Sequence, residues 1–459
     1  MLFQDFRDYL DKLEEHGLLL RVKQEVSTKY EIAAGLRKIS DTNGPALLFE
    51  NVAGYPDWRV VGGLFATRRL MAFALQTEDD DEQLVKRYLG FDQEYREPIP
   101  VASGPVKELI LTGDDIDLTK LPVPTYCEMD SGHYLTAGVE IARHPVTGQQ
   151  NASIHRRKIL GKDRTCLLAQ SPHLTFMIQA AEERGQGLGV ATVIGAHPAL
   201  TIASQVKAPE GVNEMAIAGA IQGRPFEVVK CETIDVMVPA DAEIVIEGVT
   251  VPGERASDGP FGEFPGNYIS LGNWASPQGK PVNDSPVVKV TAIMMRHDAI
   301  FQALLTGMPN TENQSLKKWA LTAAAYRKVA KEVPSPDDIC GINLTSSSAG
   351  RHAIVSISKR EEATPKRIIE ALMEVAFLVP IVVDEDIDVY DPAQVDWAIA
   401  TRVRPDRDIV IPPAPPLSAS ALTPTIAYKW GIDATAPLGG ESWFYKKAIP
   451  PGVDKVDYV

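Results

Sequence analysis

Residues 243–250, EIVIEGVT, and 286–295, PVVKVTAIMM, are short apolar runs, and between them lies DGPFGEFPGNY at 258–268. The β-branched Val, Ile and Thr suit a pleated, half-buried surface, so both runs read as strands. The stretch between them belongs to neither. Gly259, Pro260, Gly262, Pro265 and Gly266 rule out a regular helix there and strongly disfavour a central strand. Asp258 and Glu263 stand five residues apart on this turn, a spacing that helix periodicity does not explain. The glycines permit close approach of a ligand or of another backbone. Taken alone, a hairpin with its acids in water is the simpler reading.

Working outward, TAGVEIAR (136–143), GVATVIGA (189–196) and EVVKCETI (227–234) continue the strand pattern, separated by Gly, Pro and Asn. Two helices interrupt it, PHLTFMIQAAEERG at 172–185 and GVNEMAIAGAIQG at 211–223. That order predicts a partly open β-barrel with inserted helices over residues 106–310. Before it, residues 1–105 form an α/β segment: a helix from Phe3 to His16, strands in PALLFENV and WRVVGGLF, and a helix in RRLMAFAL. Pro98, Pro100, Gly104 and Pro105 mark the boundary. After it, residues 311–333 are good helix formers and read as a linker helix. Residues 334–459 form an α/β domain in which AIVSISK, TPKRIIEALMEVAF and IVVDEDIDVYD make a β-α-β run. The Pro-rich end, including GIDATAPLGG at 431–440, is expected to lie outside the core. The fold class is α/β (α+β).

Composition excludes several function classes. The formal net charge is −15 over 459 residues, with no cluster of cations and interleaved aromatics, which argues against nucleic acid. An anionic ligand therefore has to be held by local charges. The absence of any run of eighteen apolar residues argues against a membrane span and points to a cytoplasmic protein. Four cysteines without Cys-x-x-Cys spacing argue against a zinc ribbon or a disulfide framework. The run EDDDE at 78–82 reads as a solvated face.

A second constellation is NASIHRRKILGKDRT, 151–165, which places the Asn151 amide beside Arg156 and Arg157 on a β-compatible stretch. Arg157, Lys158 and Lys162 are expected to face water. A third joins His173 in SPHLTF with Glu214 in GVNEMAIAG. Carboxylate and amide oxygens suit a hard divalent cation that bridges a phosphate, so Asn151 and Glu214 fit Mg²⁺ or Mn²⁺, with His173 a possible third ligand or an ordinary helix-start residue.

The ordered set Asn151-x-x-Ile154-x-Arg156, His173, IGAHPA at 194–199, Glu214, EIVIEG and GPFGE-x-x-G-x-Y resembles the UbiD family of decarboxylases, and the resemblance extends into WAIATRVRPDRD and GIDAT. It implies prenylated FMN as cofactor, with Mn²⁺ or Mg²⁺ and K⁺ as a further candidate ion, a split β-barrel flavin domain, a linker helix and a C-terminal oligomerisation domain. Carried over by position, Asn151, His173 and Glu214 match the residues on the metal and the flavin phosphate. Ile154, His155, Arg156 and Pro172 fall among the flavin contacts. Arg156 and Glu263 match the catalytic arginine and the acid that handles the proton. Asp258 stands where the family more usually has glutamate, one methylene longer.

Loss of CO₂ from an sp² carbon needs an electron sink that no side chain supplies, so a cofactor carries that chemistry. The resemblance implies a reversible decarboxylase of an aromatic or heteroaromatic acid, of furan or pyrrole type, with phenolic and acrylic acids as alternatives. Arg156 would pair with the substrate carboxylate, Glu263 would protonate the carbon left behind and Asp258 would orient Arg156. Phe264 and His297 are candidate substrate contacts, His297 because it lies at a strand end where a barrel mouth would open. A flavin prenyltransferase would supply the cofactor, and a homo-oligomer, dimer or hexamer, is expected. Two rivals remain: a flavin-dependent oxidoreductase, which lacks a Rossmann fingerprint here, and a non-catalytic flavin-binding partner.

Overall fold

The computed structural model describes residues 3–451 apart from 93, 129, 170–171, 207, 209–210, 263–283, 308–309, 349, 376–378, 413–428, 440–444, 446 and 448–449. Two compact units divide the chain, Met1–Ala320 and Leu321–Val459. The division falls inside helix α8 (Glu312–Val329), which occupies the stretch read as a linker helix.

The first unit opens with α1 (Phe6–Glu15), whose N-cap Asp5 accepts from the Asp8 N–H and whose Phe6, Tyr9, Leu10 and Leu13 are buried. Strand β1 (Leu19–Val22), helix α2 (Glu31–Thr42), strands β2 (Ala46–Phe49) and β3 (Arg59–Gly62), and helices α3 (Arg68–Leu75) and α4 (Asp81–Leu89) follow. The acidic run at 78–82 starts a helix: Asp80 caps α4 and Asp81 and Glu82 occupy its first turn, where carboxylates oppose the positive end of the helix dipole.

Beyond β4 (Ile99–Pro100) come β5 (Leu109–Thr112), β6 (Tyr134–Leu135), β7 (Val139–Arg143), β8 (Gln150–Ile154), β9 (Arg157–Ile159), β10 (Arg164–Leu167), α5 (Pro172–Glu182), β11 (Gly189–Ile194), α6 (Pro198–Ala203), α7 (Glu214–Gln222), β12 (Glu227–Lys230), β13 (Met237–Pro239), β14 (Ile244–Ser257), β15 (Asp284–Met295) and β16 (Ile300–Ala303). Nine strands form one sheet in the order β6-β9-β10-β15-β14-β11-β7-β8, with β5 beside β15. The ladder does not close into a barrel. EVVKCETI does not join it either; β12 pairs β13 and β4 in a separate three-stranded sheet, and β16 runs parallel to β3 beside β1 and β2.

The two opening runs are the spine of this sheet. β14 and β15 pair antiparallel from Ile244↔Met295 at one end to Ser257↔Asp284 at the other, with register shifts between Glu247 and Gly248 and between Thr250 and Arg255. Such irregularities bend a strand and re-aim its side chains. One continuous apolar core joins Ile32 and Leu36 of α2, Phe49, Val60, Ile244, Val290 and Ile293 with Tyr134 and Phe261. The turn after β14 is therefore anchored, through Phe261, in this core.

In the second unit β17 (Ile339–Leu344), β18 (His352–Ile357), α9 (Thr364–Met373), β19 (Val379–Asp384), α10 (Pro392–Arg402), β20 (Ile409–Val410) and β21 (Gly431–Ala434) form a sheet ordered β17-β18-β19-β21-β20. β18 and β19 are parallel across α9, the expected β-α-β unit. The segment GIDA corrects the expectation for the chain end. Gly431 to Ala434 are all buried in β21, next to β19, because Ile432 and Ala434 fill the core beneath α10.

Candidate active site

Two buried polar pairs start from the stretch of chain that runs through β8 to β9. The first is made by β8 and α7. Asn151, on the edge strand β8, donates from Nδ2 to Oε1 of Glu214 at 2.7 Å, and the Ala152 N–H donates to the other carboxylate oxygen at 2.8 Å. Glu214 is the first residue of α7, whose N-cap Asn213 accepts from the Met215 N–H. A helix start suits a carboxylate, yet burial pushes the Glu214 carboxyl above its ordinary range. Asn151 and Glu214 are thus hard oxygen ligands held within reach of each other, a donor set that fits Mg²⁺ or Mn²⁺. His173 does not join them. It is exposed at the start of α5 and, among the described residues, makes no hydrogen bond to either; Pro172 precedes it.

The second pair follows directly. The chain leaves β8 at Ile154, turns through His155 and Arg156, and re-enters the sheet as β9. The Arg156 guanidinium donates from Nε at 2.9 Å and from Nη2 at 2.5 Å to Oδ2 of Asp258, and both side chains are buried. Its Cζ lies 4.6 Å from the centroid of the Phe261 ring, a cation–π distance. His155 bonds through Nδ1 to the Leu168 carbonyl at 3.0 Å and through Nε2 to Ser153 Oγ at 2.9 Å. Burial pulls its imidazole down to about 4, so it is neutral near neutral pH.

A cavity of about 260 Å³ lies against this turn, lined by Ile154, His155 and Arg156 together with Thr306, Asn313 and Lys317 among others. Asn313, Leu316 and Lys317 reach it from one face of the helix start, at i, i+3 and i+4. A wall of apolar, amide, hydroxyl and cationic groups fits a polar ring system with an anionic tail, so the residues present fit prenylated FMN.

Asp258 is also held from behind. The Tyr134 hydroxyl bonds to the Asp258 carbonyl, and lies 3.2 Å from the Pro260 carbonyl. Asp130 accepts from the Gly262 N–H at 2.8 Å. Glu263 and Phe264 lie outside the described residues.

His297 is not brought to this cluster. It sits exposed in the turn after β15, its N–H on Glu108 at 3.0 Å, beyond the Ile244↔Met295 end of the ladder, whereas Asp258 follows the Ser257↔Asp284 end. Twelve residues of extended strand separate the two ends, a contour on the order of 35 Å. The structure thus places His297 and Asp258 at opposite ends of the β14–β15 ladder. Arg157 is a correction. Expected in water, it is fully buried and pairs with the buried Glu140 at 3.0 Å, while Lys158 is half-buried and Lys162 exposed. The signal lay in TAGVEIAR, where an acid within an apolar strand requires a buried partner. No local pattern marks Asp130 and Tyr134, in DSGHY at 130–134, because their partners lie on a turn distant in sequence.

Comparison with known proteins agrees along the whole chain. The 3-octaprenyl-4-hydroxybenzoate carboxy-lyase N-terminal domain matches residues 10–88, the Rift-related domain residues 99–309 and the C-terminal domain residues 318–434. The sequence is 34% identical over 445 residues to an anhydromevalonate phosphate decarboxylase of Methanothermobacter thermautotrophicus, covering 96% of this chain and 99% of the relative. It is 33% identical over 464 residues to a phenolic acid decarboxylase of Bacillus subtilis, covering 96% and 94%. The solved structure of an evolved dimeric form of the UbiD-class enzyme HmfF from Pelotomaculum thermopropionicum, in complex with prFMN, superposes with a TM-score of 0.84 at 37% identity over 99% of both chains. No helix among the described residues is long and apolar enough to cross a membrane.

Proposed function

The chain belongs to the UbiD family of prenylated-FMN-dependent decarboxylases, and from that premise we propose a reversible, non-oxidative carboxy-lyase acting on an aromatic or heteroaromatic acid of furan or pyrrole type. The observation that carries the reading is Arg156: one guanidinium both lines the cavity and is locked by a buried carboxylate. When bound, the prenylated flavin supplies the electron sink that release of CO₂ requires. The protein's own residues do the rest. Arg156 presents a planar fork to the substrate carboxylate, and its orientation is fixed by Asp258 on one side and the Phe261 face on another. Asp258 also compensates the guanidinium charge in a dry environment. Glu263, next to the anchored Gly262, delivers the proton to the carbon that has lost CO₂. Asn151 and Glu214 would hold Mn²⁺ or Mg²⁺ for the cofactor's phosphate, and His173 and K⁺ would complete that site only once His173 turns toward them.

Phenolic acids are the second reading, favoured by the named activity of the Bacillus subtilis relative. The test is production together with a flavin prenyltransferase, followed by CO₂ release on a panel of furan, pyrrole, phenolic and acrylic acids. Furan or pyrrole acids should turn over fastest; phenolic acids at the head of the panel would replace the first reading with the second. Glu263→Gln should abolish release while the flavin stays bound, since an amide supplies no proton, and Asp258→Asn should impair it less. The reverse order would make Asp258 the proton donor. Assembly as a cytoplasmic homo-oligomer through residues 321–459 is part of the same proposal, and light scattering of the full chain should give more than one protomer.

A further inference from the structure

The turn that carries Asp258 is gripped by one short segment, 130–134. Asp130 accepts from three backbone N–H groups: Gly262 through Oδ1 at 2.8 Å, and Cys127 at 2.8 Å and Tyr126 at 3.2 Å through Oδ2. The Ser131 N–H donates to the Pro260 carbonyl at 2.9 Å. Tyr134, fully buried, directs its hydroxyl to the carbonyls of Asp258 and Pro260 and shares it with Ser131 Oγ at 2.8 Å. Its ring centroid lies 4.3 Å from that of Phe261, the ring beneath the Arg156 guanidinium.

The Cys127, Tyr126 and Ser131 Oγ contacts hold the segment itself, while those to Gly262, Pro260, Asp258 and Phe261 fall on residues 258–262, where Asp258 and Phe261 are the side chains that touch Arg156. A glycine- and proline-rich turn has few local contacts of its own to fix a carboxylate. A reacting arginine, however, loses rate steeply when displaced by a fraction of an ångström. We propose that Asp130 and Tyr134 are positioning residues for decarboxylation: they clamp the backbone of the 258–262 turn so that Asp258 and Phe261 hold the Arg156 guanidinium in its productive orientation. The clamp rests on the assignment of Arg156 and Asp258 to the reacting carboxylate. It makes no contact with substrate in this role, and acts through the turn.

The test is a double-mutant cycle on the flavin-loaded enzyme. Tyr134→Phe keeps the ring against Phe261 and removes the hydroxyl. It should lower kcat by about tenfold, the loss of roughly one buried hydrogen bond, with flavin occupancy and KM within about twofold of the parent. Asp130→Asn, which leaves one oxygen acceptor of two, should act in the same direction. In an Asp258→Asn background, where the locked orientation is already lost, Tyr134→Phe should cost little more. An unchanged kcat in the two single variants, or the same tenfold loss in the Asp258→Asn background, would overturn the clamp. If Tyr134→Phe does not fold, Asp130→Asn in the same cycle decides by the same criteria. Asp258→Asn alone reports on the underlying assignment: full turnover in that variant would refute the role of the pair itself, a result distinct from failure of the clamp.

Discussion

Where β14 and β15 pair Ser257 with Asp284, the chain turns into Asp258, whose side chain is 0% exposed against Arg156; where they pair Ile244 with Met295, it turns into His297 and Asp298, and Asp298 is 65% exposed. Both ends carry an acid facing arginines, Asp258 with Arg156 and Asp298 with Arg7 and Arg59. At the exposed end water screens the charges, and ion pairs of that kind stabilise little. At the buried end the same chemistry is obligatory, because either partner alone would be an uncompensated charge in the core. Both turns thus bring a carboxylate to a guanidinium. What differs is what packs over them: Tyr134, Phe261 and the 130–134 segment at one, solvent at the other.

The difference can be broken from the buried side first. Asp258→Ala should lower unfolding stability by about 3–5 kcal/mol, since it leaves Arg156 buried without its carboxylate, and denaturant titration of the full chain checks this. A change below about 1 kcal/mol would mean that the turn relaxes and lets water in.

The second test uses pH. Burial lowers the His155 imidazole from 6.5 to about 4, so between those values the unfolded chain binds a proton that the folded chain does not. Stability from this group therefore rises as pH climbs from about 4 to 6.5, by at most about 3 kcal/mol. His155→Gln should remove that rise. Glu140, pushed up to about 7 by burial, works with the opposite sign, losing stability as pH rises toward 7, and its contribution cancels when parent and variant are compared at each pH.

The third concerns the other buried pair. Glu214→Gln removes a charged oxygen while preserving shape, and flavin retained per chain after gel filtration should fall with an affinity loss of about 10–100-fold. Equal retention would take Glu214 out of the cofactor site. The smallest effect belongs to the exposed end: His297→Ala should change stability by no more than about 0.5 kcal/mol and leave turnover of furan and pyrrole acids as it was. A selective loss on those acids would show that the turn after β15 reaches the substrate and would dissolve the contrast between the two ends.

Much of the fold was legible because it follows from local rules. Apolar runs at β spacing gave β14, β15 and β11, while Asn213 before EMAIAGAIQ, Thr67 before RRLMAFAL and Asp5 before FRDYL are side-chain N-caps that start helices where the pattern places them. Asn151, Arg156 and Glu214 were legible as chemistry-bearing types in a recognisable order. Burial was not legible, because it depends on neighbours far apart in the chain. Arg157 has the pattern of a basic strand residue, and only its pairing with Glu140 buries it; GIDA has the composition of a Pro-rich tail, and only its pairing with β19 makes it a core strand. A linear pattern places His297 at a strand end, but only the ladder shows that this end lies opposite the one that leads into Asp258.

The sequence by itself therefore determined the element types, the helix starts and the order of chemistry-bearing residue types that marks the family, since propensity, capping and charge act over a few residues. Tertiary structure alone decided which acid meets which arginine, which of two neighbouring arginines faces the cavity and which the core, and which segment fixes the turn at 258–262. Those outcomes rest on packing and desolvation between segments more than a hundred residues apart, such as the 102 residues between Arg156 and Asp258 and the 124 between Tyr134 and Asp258. In such contacts the low-dielectric core, and not the local chain, sets the energy.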